Sequence, residues 1–236
     1  MNRDFFYGFL LSAVLLYGNT AAAASSGPAI DESWIPIESA RPADFVPAGW
    51  SIEESLQQDL NGDGKTDAVL ELIETLPHGT EEETPPERTR ALAVLLQTPV
   101  GGYRRIALAG RLLRCTACFG ALAGPEGGGA EIKVVKGVIV VEETWGSRET
   151  VTTRLRFRYD AASGRIVLIG EDIETFDRAT GAGRRESRNC LTGVQLTETL
   201  RYDPKRDRLV AVSAKKRRIP KVKRFIDEID YRSYER

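Results

Sequence analysis

Val151-Thr-Thr-Arg-Leu-Arg-Phe-Arg-Tyr-Asp160 sets Val151, Thr153, Leu155, Phe157 and Tyr159 against Thr152, Arg154, Arg156 and Arg158. Successive side chains of a strand point to opposite faces, so this alternation gives one largely apolar face and one basic face. That is the pattern of a half-buried antiparallel strand. Downstream, Arg165 to Phe176 returns as a second strand, and Asp177 to Arg188 reads as a polar, glycine-bearing loop. Asn189 to Tyr202 and Leu209 to Ile219 then form another hairpin. Leu155-Arg-Phe-Arg-Tyr-Asp160 with Arg165-Ile-Val resembles Thr199-Leu-Arg-Tyr-Asp203 with Arg208-Leu-Val, a weak internal repeat of strand–turn–strand units closed by Asp. Two copies are too few for a propeller, so they are expected as similar hairpins in one sheet.

Upstream the same grammar holds. Glu131 to Val135 and Val138 to Trp145 flank a tight Lys136-Gly137 turn, and Ala91 to Thr98 and Tyr103 to Leu113 flank Pro99-Val-Gly-Gly102. Ser51 to Gln58 and Ala68 to Glu74 supply two more strands. The expected fold is all-β, mainly an antiparallel meander of hairpins, sandwich- or open-barrel-like. A short C-terminal helix is expected near Pro220 to Ile229, because Val222, Phe225, Ile226 and Ile229 share a face at helical spacing and Pro220 suits a first turn.

Between the first two strands lies the strongest chemical signal, Asp59-Leu-Asn-Gly-Asp-Gly-Lys-Thr-Asp67. Calcium takes six to eight oxygen ligands, and this loop offers the side chains of Asp59, Asn61 and Asp63, the carbonyl of Lys65 and the carboxylate of Asp67. Gly64 permits the sharp turn that brings them inward. An EF-hand would carry Glu at the twelfth position and run into a helix; here that position is Leu70, within a run of strand formers. The loop resembles the Asp-rich loops of FG-GAP and VCBS-type repeats, in which a metal-loaded loop leads into a strand. With Phe45-Val-Pro-Ala-Gly-Trp50, Cys115-Thr-Ala-Cys118-Phe-Gly120 and Phe157-Arg-Tyr-Asp160, the chain is similar to a family of exported bacterial proteins of uncharacterised function. The resemblance implies an envelope location and a structural calcium ion, and no known reaction.

Residues 1–24 read as a secretory signal: Arg3 in a weak n-region, an apolar run from Phe5 to Tyr17, and Ala21 to Ala24 before cleavage. Residues 25–44 read as a mobile lead-in whose Trp34 and Ile35 dock on the body, and 45–236 as a single β-rich domain. The expected location is therefore periplasmic or secreted, with no transmembrane segment in the mature chain. An oxidising compartment makes a disulfide the default among three cysteines. Cys115–Cys118 with Cys190 buried is the preferred pairing, and Cys115–Cys190 or Cys118–Cys190 the alternatives. The glycine-rich segment after Cys118 lacks the Gly-Lys-Ser/Thr ending of a P-loop.

A formal net charge of −1 gives no overall bias toward nucleic acid, and no aromatic residues interleave the basic run Lys215-Lys-Arg-Arg218, Lys221, Lys223, Arg224. That run reads first as a solvated strand edge and second as a surface for anionic lipid, lipopolysaccharide or peptidoglycan carboxylates. The sole histidine, His78, sits in the acidic, proline-bearing stretch Pro77 to Arg88 and reads as a surface residue. No nucleophile-plus-base motif and no cofactor motif is visible, and no catalytic residue is assigned. The reading is an exported calcium-binding envelope protein, a binding or structural module for an unknown envelope protein or polymer. The alternative is a glycan or peptide hydrolase with a carboxylate pair drawn from Glu142, Glu143, Glu171, Asp172 and Glu174, and calcium as scaffold.

Overall fold

The computed structural model describes residues 30–76, 87–124 and 127–235. Two antiparallel sheets account for almost all regular structure. The smaller contains β1 (Glu38–Ser39), β2 (Trp50–Gln58), β3 (Asp67–Glu74), β4 (Arg90–Gln97) and β5 (Tyr103–Ala109), in the order β1-β5-β4-β3-β2. The larger contains β6 (Glu131–Val135), β7 (Val138–Gly146), β8 (Glu149–Asp160), β9 (Arg165–Asp177), β10 (Ala182–Asn189), β11 (Val194–Asp203) and β12 (Arg208–Arg218), each beside its sequence neighbour. The expected all-β meander is thus what forms, as two open sheets.

The centre of the small sheet, β3 and β4, is buried on both faces, which explains why these two strands are near-continuous apolar runs. Val69, Leu92, Val94 and Ala107 face Val141, Leu155, Phe157 and Leu168 of the large sheet. Ala68, Leu70, Leu72, Ala93 and Leu95 face the other way, beneath Ile30, Ile35, Phe45 and Trp50. The stretch expected as a lead-in therefore forms part of a third layer: Ile35 docks, whereas Trp34 remains half exposed. β1 fixes this cover by pairing Glu38 with Arg104 and Ser39 with Tyr103 on β5.

The large sheet divides into an apolar half and a polar half. On the face toward the small sheet, β7 to β9 carry Val141, Trp145, Leu155, Phe157 and Ile173, all buried. The same face continues onto β10 and β11 as Glu186, Arg188, Gln195 and Thr197. β12 contains no buried residue. The 177–188 region is corrected from a loop to strand β10: its alternation is polar on both faces, so the apolar signal of a strand is missing although both ladders form.

The two hairpins of the internal repeat match in detail. Asp160 pairs with Arg165 and Asp203 with Arg208, and a bulge falls three residues before each Asp, at Arg156/Phe157 and Thr199/Leu200. Asp160 accepts from Ser163 N–H and Asp203 from Lys205 N–H, capping each turn. The residue before each returning arginine, Gly164 or Asp207, lies in the left-handed region.

The expected C-terminal helix is also corrected. Residues 220–224 form no helix, Arg224 C=O accepts from Leu168 N–H, Phe225 bridges Val167, and only single 3₁₀ turns follow at Ile226–Glu228 and Tyr231–Tyr234. Edge pairing at Val167 and Leu168 provides the backbone bonds that a helix would have provided. Ile226 and Ile229 still bury, whereas Val222 is exposed.

Candidate functional site

The Asp59–Asp67 loop joins β2 to β3 and turns at Gly62 and Gly64, both at positive φ. Its oxygens are organised by backbone N–H groups. Asp59 accepts from Gly62 (2.7 Å) and Gly64 (2.9 Å), Asn61 from Asp63 (2.9 Å), and Asp63 from Lys65 (2.9 Å). The Lys65 ammonium lies 3.3 Å from Asp63 Oδ2. Hydrogen bonding from Lys65 N–H holds the Asp63 carboxyl below its ordinary range. Asp67 differs from the rest: it is wholly buried and accepts from Leu60 N–H (2.8 Å) and Gln97 N–H (2.9 Å). Burial pushes its carboxyl up despite those two donors, with Asp63 and Asp59 adding to the rise. Asp67 therefore clasps the base of the loop, and Asp59, Asn61, Asp63 and the Lys65 carbonyl form its rim.

The donor set fits a hard cation in kind, because it is all oxygen and each carboxylate oxygen keeps a lone pair beyond its backbone bond. Among the described residues, Glu87, Cys115 and Cys118 are the only three His, Cys, Asp or Glu side chains with ligand atoms all within 4.8 Å of one another, so Asp59, Asp63 and Asp67 do not meet as closely. Holding one ion directly through all three carboxylates would require them to draw together. Glu87, Cys115 and Cys118 are not a ready metal site, because Cys115 and Cys118 are joined in a disulfide, as expected. Cys190 keeps a free, half-buried thiol, which burial pushes up in pKa. His78 lies outside the described residues.

The five acids considered for a carboxylate pair fall on opposite faces. Glu142, Asp172 and Glu174 line a shallow depression of about 430 Å³ on the outer face of the large sheet, with Arg154, Arg185 and Glu198. Charges there alternate across strands: Arg154 holds Glu142 at 2.6 Å, Arg156 holds Asp172 at 2.7 Å, and Arg185 holds Glu198 at 2.7 Å. Burial raises Asp172, but Arg156 and Ser187 outweigh it and keep the carboxyl low. Glu174, with Arg185 at 3.8 Å, is raised by burial. Arg185 and Ser187 belong to β10, so reading that stretch as a loop hid half of this face.

Glu143 and Glu171 point inward instead. Glu171 is buried and accepts from Arg188 (2.7 Å), Arg224 (2.6 Å) and the Tyr234 hydroxyl (2.8 Å). From there a polar row crosses the sheet: Arg188 reaches Glu186, Gln195 donates to Glu186, and Arg217 donates to Gln195. Glu143 belongs to a charged cluster between the sheets that sequence reading missed. Burial pushes Glu143 up to about 7, although Arg114 N–H donates to it at 2.9 Å. Burial likewise pushes Glu71 up to about 8, with Arg90 3.6 Å away and Glu53 nearby. The Arg114 guanidinium stacks 3.6 Å over Trp145 and reaches Glu235 at 2.9 Å. A Glu inside the apolar run Asp67–Glu74 was the available signal, but its partners come from distant segments.

Comparison of the chain with protein-family models, with curated proteins and with solved structures finds no match.

Proposed function

We propose that this chain is an exported, non-enzymatic binding module of the cell envelope, stabilised by calcium at Asp59, Asn61, Asp63, Lys65 and Asp67. The observation that carries the reading is the outer face of β7 to β11. Its acids and arginines alternate in cross-strand pairs, which suits recognition of a polar protein or polymer over an extended area. Acids clamped by guanidinium groups stay ionised and are poor proton carriers at neutral pH. The Cys115–Cys118 bridge supports an oxidising compartment. The Asp loop supports calcium through its donor chemistry, which resembles that of FG-GAP- and VCBS-type loops. In this role the ion tightens a loop that Asp67 already anchors.

Calorimetric titration tests the ion directly: calcium binds wild type at micromolar to millimolar strength, as in extracellular modules, and Asp63→Ala loses binding. Normal binding by Asp63→Ala, or none by wild type, rejects the loop assignment. Pull-down from envelope extract, comparing wild type with an Arg154→Glu, Arg185→Glu double variant, tests the face.

One observation favours a second reading. Glu174 is raised and Asp172 lowered within the same depression, the divergence expected of an acid and a base. In that reading the protein is an envelope glycan or peptide hydrolase. Turnover of peptidoglycan fragments that Glu174→Gln abolishes would select it over the binding module.

A further inference from the structure

The basic run near the C-terminus is built into a cleft. After β12 the chain turns back under the polar half of the large sheet, and Ile219 N–H donates to Gly193 C=O as Arg224 C=O accepts from Leu168 N–H. Two depressions, of about 350 and 220 Å³, open along this returning segment and share Cys190 and Val222 in their walls. The larger falls in the size range of small-molecule sites, roughly 300–1,000 Å³.

The lining has two chemistries. Ile219, Pro220 and Val222 continue into Leu191, so an apolar floor runs from one depression into the other, beside Val167 and Leu168, which are themselves buried. Val222 and Leu191 are 61% and 48% exposed, which leaves this floor open to a guest. Around it stand six cationic side chains against two carboxylates, Glu171 and Asp160. Those acids are already engaged, Glu171 by Arg188 and Arg224 and Asp160 by Lys223. Among the described residues, the hydrogen bond Arg217 makes is to a neutral acceptor, Gln195 Oε1 at 3.0 Å, in the lining of the larger depression. A guanidinium is suited to hold a carboxylate through two parallel hydrogen bonds.

We propose that this cleft binds a single-chain anionic amphiphile, a fatty carboxylate whose head meets Arg217 and whose alkyl chain lies over Val222 toward Leu191. The positive groups surround a concave apolar floor, so the fit is to a monomeric ligand entering the protein and not to a flat lipid surface. The cleft shares no residue with the Asp loop or the outer face, so it stands or falls separately from the proposed function.

Cys190 provides a local reporter, because it is the one cysteine outside the disulfide and lines both depressions. The full chain is titrated calorimetrically with decanoate below its micelle concentration, in calcium and in chelator, and Cys190 modification by a maleimide is timed in parallel. Decanoate should bind and slow the modification at least tenfold, whereas decanol, acetate and inorganic phosphate should not. Arg217→Gln should weaken binding about tenfold, the scale of one lost charged hydrogen-bond pair. Val222→Glu, at an exposed position, should abolish it. Equal protection by decanol would remove the role of Arg217. Binding that leaves Cys190 unprotected would move the site elsewhere. Protection by anionic phospholipid vesicles alone would make the run a membrane contact, and absence of binding by any probe would overturn the proposal.

Discussion

The small sheet and the polar half of the large sheet are both antiparallel ladders, yet different forces hold them. β3 and β4 are covered on two sides by apolar layers. β10 to β12 are held by backbone ladders and rows of charge, with Leu200 their one buried large apolar side chain. Burying a large apolar side chain contributes about 1.5–3 kcal/mol, whereas an exposed ion pair contributes about 0–1 kcal/mol. The covered sheet should therefore be the stable nucleus and the wing the softer element, whose specificity comes from charge pairing.

The largest effect should come from the apolar half. Phe157→Ala, at a wholly buried site where the two sheets meet, should cost about 4 kcal/mol in urea unfolding. Arg185→Ala on the wing should cost less than about 1 kcal/mol. Equal costs would erase the contrast between the two regions.

Next, an interior acid of the small sheet and one on β9, where the polar half begins, should respond to pH in opposite directions. Burial alone would raise the Glu171 carboxyl, but Arg224, Tyr234 and Arg188 outweigh it and hold it below the ordinary 4.5. Its stabilisation is present above that pH and is lost as pH falls through the lowered folded value. Glu171→Gln, which leaves two arginines short of a charge, should cost about 3 kcal/mol at pH 7 and little under acid conditions. Glu71 is raised to about 8, so the folded state retains a proton that the unfolded state releases near 4.5. Its contribution favours folding below 4.5 and declines as pH rises to about 8. Urea midpoints of Glu71→Gln should accordingly lack a downward slope between pH 5 and 8 that wild type shows.

The loop sharpens the comparison at intermediate magnitude. Asp67→Ala strands one buried and one part-buried backbone donor and should cost about 2 kcal/mol with or without calcium. Asp63→Ala, on the rim, should cost below about 0.5 kcal/mol in chelator and remove the calcium-dependent rise in melting temperature. With calcium bound as proposed, the stabilisation behind that rise would be about 2.7 kcal/mol at free calcium one hundred times the dissociation constant. Small effects also belong to the repeated turns. Gly164→Ala should cost about 1 kcal/mol for its left-handed backbone, and Asp207→Gly should stay within about 0.5 kcal/mol, because relief there offsets loss of the Tyr202 hydrogen bond.

What could be read from the sequence follows the same division. Alternation in Val151 to Tyr159, the Lys136-Gly137 turn and the apolar run Ala68 to Glu74 are local signals, and each matches its place in the fold. β10 was not legible, because Arg184, Arg185, Glu186 and Arg188 form a strand only through partners on β9 and β11. The 220–229 segment misled for a related reason: a face at helical spacing was outweighed by edge pairing with Val167 and Leu168. Likewise, the Asp loop was visible as a motif, but the buried role of Asp67 depends on Gln97, thirty residues away.

The pairing of β1 with β5 constrains the order in which the molecule can assemble. Every strand of the large sheet lies beside its sequence neighbour, so short loops can close hairpin by hairpin. The cover cannot follow that route, since Glu38 must wait for Arg104 to be synthesised and placed. During that interval Leu70, Leu72 and Leu95 lack the layer that shelters them. The chain is thus open to self-association through this face until Arg104 is in place, and a partner that shields the face would act on the yield of folding while leaving the final stability unchanged.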